Sequence, residues 1–154
     1  MTNKYSFTYK DTPSRERAKR LLSKVYPGCR FTDGQKYRID LVNEAYTPDG
    51  SHGPQFAEVE RMKNHTVNNR RHQGKISIIV DKFEKYFKPF REKAVMVYDI
   101  MEEDGKTPTN RFLVINGDDI ADNCEPAVES YKAINVAKSG VDVHLMPYRF
   151  VREY

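Results

Sequence analysis

Apolar and polar residues alternate with a period that changes several times along this chain, and each change marks an element. Tyr5, Phe7 and Tyr9 fall on alternate positions, which predicts a short strand or arm. Asp11 or Thr12 can cap a helix with Pro13 in its first turn. Ala18, Leu21, Leu22 and Val25 then recur at helical spacing until Tyr26-Pro27-Gly28 stops them. After a turn at residues 32–34, Tyr37, Ile39 and Leu41 alternate with Arg38 and Asp40, the pattern of a half-polar strand. Residues 46–54 are a loop by composition, and residues 55–61 form the next strand. Residues 61–75 show no periodicity and read as a basic loop. Ile76, Ile79, Val80, Phe83 and Phe87 predict a second helix, ended by Pro89. Residues 93–101 and 111–115 look like buried strands joined by a turn-rich stretch. A third helix is expected from about Pro126 to Lys138, stopped by Gly140, with a last strand after it. Helices placed between strands predict one α/β domain over residues 1–154, with a central mixed sheet flanked by helices.

Residues 55–61, Gln-Phe-Ala-Glu-Val-Glu-Arg, carry the chemistry. On a strand, Phe56, Glu58 and Glu60 share one side and Ala57 and Val59 the other. The two carboxylates then stand about 7 Å apart, close enough to repel unless a cation lies between them. Asp40 sits on the polar face of the preceding strand, so a hairpin around the 46–54 loop brings three carboxylates together. Oxygen ligands in that number suit a hard cation, Mg²⁺ or Mn²⁺, able to polarise a phosphoryl oxygen and activate water.

The order of helix, Arg38-Ile39-Asp40, 17 intervening residues, then Ala57-Glu58-Val59-Glu60 resembles the PD-(D/E)XK nuclease superfamily. The resemblance implies a restriction-endonuclease-like core of helix, three-stranded meander, helix and strand. Asp40 matches the first aspartate of the motif, with Ile39 where proline often stands, and Glu58 matches the second acidic residue. Glu60 falls where the family usually carries lysine, in the manner of its Glu-X-Glu variants. The resemblance thus implies a Mg²⁺-dependent endodeoxyribonuclease with Asp40, Glu58 and Glu60 as metal ligands and catalytic groups. The missing lysine leaves Lys63, or Lys75 and Lys82 on the next helix, to orient the attacking water. Glu60 could instead act as a base or hold a second ion. A glutamate that some members add from the first helix would have to be Glu16, which faces away from the apolar stripe. The resemblance also implies a double-stranded DNA substrate and a homodimer. The alternative is a non-catalytic nucleic-acid- or protein-binding module on the same fold, with Glu60 marking a lost lysine.

Charge is compatible with a polyanionic partner. Residues 1–91 carry 19 Lys and Arg against 10 Asp and Glu, whereas residues 92–154 carry 7 against 12. Between residues 61 and 75, Arg61, Lys63, Arg70, Arg71 and Lys75 stand without an acid, among asparagines suited to base edges. They are the candidate nucleic-acid contacts, and a solvated surface is the competing reading. Arg15, Arg17, Lys19, Arg20 and Lys24 read as the wet face of the first helix. His65 and His72 lack partners at metal-binding spacing, and Asp118, Asp119 and Asp122 read as a capped turn. Cys29 and Cys124 make no metal or disulfide pattern, and no apolar run reaches membrane-spanning length. A cytoplasmic protein without membrane contact is therefore expected.

Overall fold

The computed structural model describes residues 12–34, 39–127 and 142–154. The expected arm around Tyr5, Phe7 and Tyr9, and nearly all of the expected third helix, lie outside these residues, as do Tyr37 and Arg38. Helix α1 spans Thr12–Val25 and buries Ala18 and Leu22, two of the four stripe residues, while Leu21 and Val25 are half-buried. Strands β1 (Phe31–Asp33), β2 (Leu41–Asn43) and β3 (Phe56–Lys63) form an antiparallel meander. Gly34 lets it turn: its N–H donates to the Asp40 carbonyl at 2.8 Å, and a Cβ there would meet the Ile39 oxygen at 2.0 Å. Only a residue without a side chain fits that approach.

After β3 the chain departs from expectation. Residues 64–73 are a helix, α2 (Asn64–Gln73), where a loop was expected. It buries only Val67 and is otherwise polar, so its face carries almost no periodic signal. It is closed by Gly74 (φ 78°), whose N–H reaches the Arg70 and Arg71 carbonyls. Next comes β4 (Lys75–Ile79) where a helix was expected, because Ile76 and Ile78 alternate into the core and pair with a distant strand. The helix begins only at Val80. It is built of three pieces, Val80–Lys82, Phe83–Phe87 and Lys88–Phe90, together α3, and the middle piece is π-helical. β5 (Ala94–Met101), β6 (Pro108–Asn116) and a short helix α4 (Gly117–Asn123) follow, the last taking the place of the expected turn around Asp118. β7 (Glu125–Pro126), β8 (Val143–Pro147) and β9 (Arg152–Glu153) complete the described strands.

The main sheet has six strands in the order β1-β2-β3-β5-β6-β9, and only β3 and β5 run parallel. A parallel neighbour needs a long crossover, and α2, β4 and α3 supply it. β4, β8 and β7 form a second, three-stranded antiparallel sheet. The core has two parts. On one face of the main sheet, α1 packs Ala18 and Leu22 against Leu41, Ala57, Val59, Val95, Val97 and Val114. On the other, Val67, Ile76, Ile78, Phe87 and Ile120 cover Met96, Tyr98, Ile100, Leu113 and Ile115. β5 is buried along its whole length because it lies beneath both layers. The protein is α/β with a mixed central sheet and helices, and among the described residues no helix is long and apolar enough to cross a membrane.

Candidate active site

The alternation of β3 decides which side chains meet. Ala57 and Val59 enter the core beneath α1, so Glu58 and Glu60 point to the opposite face, toward α3. Register with β2 places Leu41 across from Ala57, which leaves Asp40 beside Glu58 where the β2–β3 ladder ends. There the two acids replace the ladder bonds. The Asp40 N–H donates to Glu58 Oε2 at 2.7 Å, and the Val59 N–H donates to Asp40 Oδ2 at 2.9 Å. Each carboxylate is thus oriented by the other strand's backbone.

A buried asparagine holds that register from the other end. Asn43 Oδ1 accepts the Arg30 and Ala45 N–H groups at 2.9 and 3.1 Å, and its Nδ2 donates to the His52 and Pro54 carbonyls, both at 2.9 Å. All four bonds of the amide are made, as burial at 3 % exposure demands. They tie the connecting loop to β2, and so fix where Asp40 stands along β3.

Lys82 completes the site. It closes the first turn of α3, and its Nζ donates to Glu58 Oε1 at 2.7 Å while lying 3.1 Å from Glu60 Oε1. Burial works against the ammonium, yet Glu58, Glu60 and Asp40 together hold its pKa well above the ordinary lysine value. Glu58 moves the other way for a carboxylate. Burial pushes its pKa up to about 7, Asp40 adds to the rise, and Lys82 pulls against it. Tyr86, one turn on from Lys82, is half-buried beside the cluster, and burial and the Glu58 charge raise its pKa. The π-helical turn that carries Tyr86 is an irregularity often found at functional positions.

Of the lysines expected to stand in for the absent motif lysine, Lys82 is therefore the one at the carboxylates. Lys63 is the exposed last residue of β3, with its side chain against Gly105. Lys75 belongs to β4 and pairs with Glu125 at 3.2 Å, so it shares no helical stripe with Lys82. Glu60 is held on a cation, and among the described residues no three His, Cys, Asp or Glu side chains form a group arranged to hold a metal ion. Glu16 is exposed and bonded to Lys19, away from the site.

The other candidate contacts are scattered. Arg61 lies on the α1 side of β3 and donates to Ser14 Oγ at 3.0 Å, so it cannot share a surface with Glu60. Arg70 is half-buried in α2, and burial lowers its pKa. Arg71 pairs with Glu153 at 3.1 Å on the surface. Exposed pairs of this kind, like that of Lys75, are worth ~0–1 kcal/mol. His65 contacts Glu103, and His72 is exposed. Two of the five charges expected on the wet face of α1 turn inward instead. Arg15 is 8 % exposed and lies 3.4 Å from Asp33, and Arg17 donates to the fully buried Asp99 at 2.8 Å. Asp99 follows a run of apolar strand residues, and only the register of β5 beneath α1 reveals its partner. No family model, curated protein or solved structure matches this chain.

Proposed function

We propose that this protein is a metal-dependent endonuclease that hydrolyses phosphodiester bonds in DNA, built on a restriction-endonuclease-like core. One observation carries the reading. Lys82 reaches from α3 to the carboxylates of β3 and supplies there the cation that the sequence motif lacks. The order of elements supports it: α1, the β1–β2–β3 meander, a crossover of α2, β4 and α3, then β5 parallel to β3.

Two carboxylates, Asp40 and Glu58, are the protein groups that could offer oxygen to a divalent ion. Three carboxylates face one ammonium, so two negative charges remain when all are ionised, and Asp40 and Glu58 already repel through a desolvated interior. Mg²⁺ commonly binds through one or two carboxylates together with substrate phosphate and water, which suits Asp40 and Glu58 as its protein ligands. Bound there, the ion supplies Lewis-acid polarisation of a phosphoryl oxygen and a lowered pKa for water. The chain's own groups do the rest. An ammonium has three donors. Glu58 and Glu60 engage two, and the third is left to orient the attacking water or a phosphate oxygen. Glu60 anchors that ammonium. The raised pKa keeps Lys82 charged at neutral pH, so it stabilises developing negative charge on the phosphoryl group and does not act as a base.

Incubation of the purified protein with supercoiled plasmid and Mg²⁺ or Mn²⁺ should give nicked and linear forms, lost in Asp40→Ala and Lys82→Met. Intact plasmid with both metals refutes cleavage. A second reading then gains from the same geometry: Lys82 pairs with both Glu58 and Glu60 without any metal, as a non-catalytic binding module on this fold would require.

A further inference from the structure

A cleft of about 900 Å³ lies on the face of the main sheet opposite Glu58 and Glu60. One wall is α1, where Arg17, Arg20 and Lys24 recur at three- and four-residue spacing along a single face. The facing wall is Asn110 and Phe112 of β6 with Tyr154, which exchanges two 2.9 Å backbone hydrogen bonds with Phe112. Among the described residues no carboxylate side chain lines the cleft. Arg17 is already neutralised by Asp99, but Arg20 and Lys24 are exposed and make no ion pair among the described residues. Tyr154 is 45 % exposed, the large apolar side chain that stands out among the described residues. The guanidinium of Arg152 lies 6.0 Å from its ring centroid.

Two exposed cations along one wall and an exposed ring on the other are the two parts that hold a single strand. Phosphates follow the positive wall, and a base stacks on the aromatic face. A duplex has no unstacked base to offer the ring. We infer that this cleft binds a single-stranded polynucleotide, with backbone phosphates on Arg20 and Lys24 and one base against Tyr154. The inference does not rest on the cleavage reading, because the sheet separates the cleft from Glu58, Glu60 and Lys82.

The test is fluorescence anisotropy of the full chain with labelled oligothymidylate, oligouridylate and a duplex of equal length, over a salt series in EDTA. Both single strands should bind more tightly than the duplex. The doubly substituted Arg20→Ala, Lys24→Ala protein should lose about 1.4 from its logarithmic salt slope, ~0.7 for each phosphate contact on a single strand. Tyr154→Ala should weaken binding at every salt concentration by roughly fivefold or more, the loss of one stacked base. All three residues are exposed, and melting curves by circular dichroism check that each variant stays folded. Absence of binding by the parent overturns the inference. So does duplex binding tighter than single-strand binding, or an unchanged slope in the double variant. Unchanged affinity in Tyr154→Ala overturns it as well, since the cleft would then be a general polyanion surface.

Discussion

Replacing Glu58 with glutamine tests the electrostatics of the site without substrate or metal. Glu58 is 3 % exposed, and its carboxyl is pushed from 4.5 to about 7, first by burial and then by Asp40, against the pull of Lys82. The sign follows from linkage. Between those two values the unfolded chain has released its proton and the folded chain has not, so stability falls as pH rises through that window. A pKa difference of one corresponds to 1.36 kcal/mol, so ionising Glu58 costs the fold about 3 kcal/mol by pH 8. Below pH 4.5 that cost is absent, because the group is protonated in both states. Glutamine copies the shape of the protonated acid and cannot ionise. Urea unfolding in EDTA, for parent and Glu58→Gln from pH 4.5 to 8, should show the variant gaining on the parent by about 3 kcal/mol across the range. Titrations common to both proteins cancel in that difference. Lys82 stays outside the window, since its stabilising charge is lost only above its raised pKa. Parallel pH profiles for the two proteins would refute the claim that burial keeps Glu58 protonated into the neutral range.

Three further outcomes follow from the same contacts. Lys82→Met should abolish cleavage and lower stability at pH 8 in EDTA by about 3 kcal/mol, the usual cost of stripping a buried carboxylate of its partner; equal urea midpoints for parent and variant would show the pair to be energetically idle. Glu60→Lys should reduce cleavage, because it sets a second ammonium beside Lys82 and removes an anchor of the first. A variant that cuts plasmid faster than the parent contradicts the anchoring role. Asn43→Ala deletes four hydrogen bonds at ~0.5–1.5 kcal/mol each, so a loss of about 3 kcal/mol is expected by denaturant titration. Its plasmid cleavage should fall as well, since Asp40 loses its fixed register.

Where a physical signal is local, the sequence carried it. The stripe of α1, the 46–54 loop and the alternation of β3 each depend on neighbours within a few residues, and each is where the pattern put it. Asp40 beside Glu58 was legible for the same reason, because a hairpin joins consecutive strands. β4 was not. Its Ile-Ser-Ile-Ile run runs straight into the apolar positions of α3, and only pairing with β8, more than sixty residues away, makes it a strand. α2 was hidden for the opposite reason, since a helix burying one side chain leaves no stripe to read. Lys82 could be named as a candidate, but nothing local distinguished it from Lys75. The break between β4 and α3 separates them, and that break is set by tertiary pairing.

The position of that lysine explains why Glu60 is where it is. A lysine two residues after Glu58 on β3 would stand on the same side of the strand as the acid. Coming instead from α3, across the face of the sheet, the ammonium lies over both Glu58 and the next residue on the same side. That residue is position 60, and a second lysine there would face the first at close range. A carboxylate removes the repulsion and adds to the field that keeps Lys82 charged despite its burial. Glu60 and Lys82 thus balance one another across the face of the sheet. A protein carrying both Glu60→Lys and Lys82→Glu restores the charge balance with the cation placed on the strand. It should recover cleavage that Glu60→Lys alone has lost, and recovery no better than the single variant would separate the two residues in function.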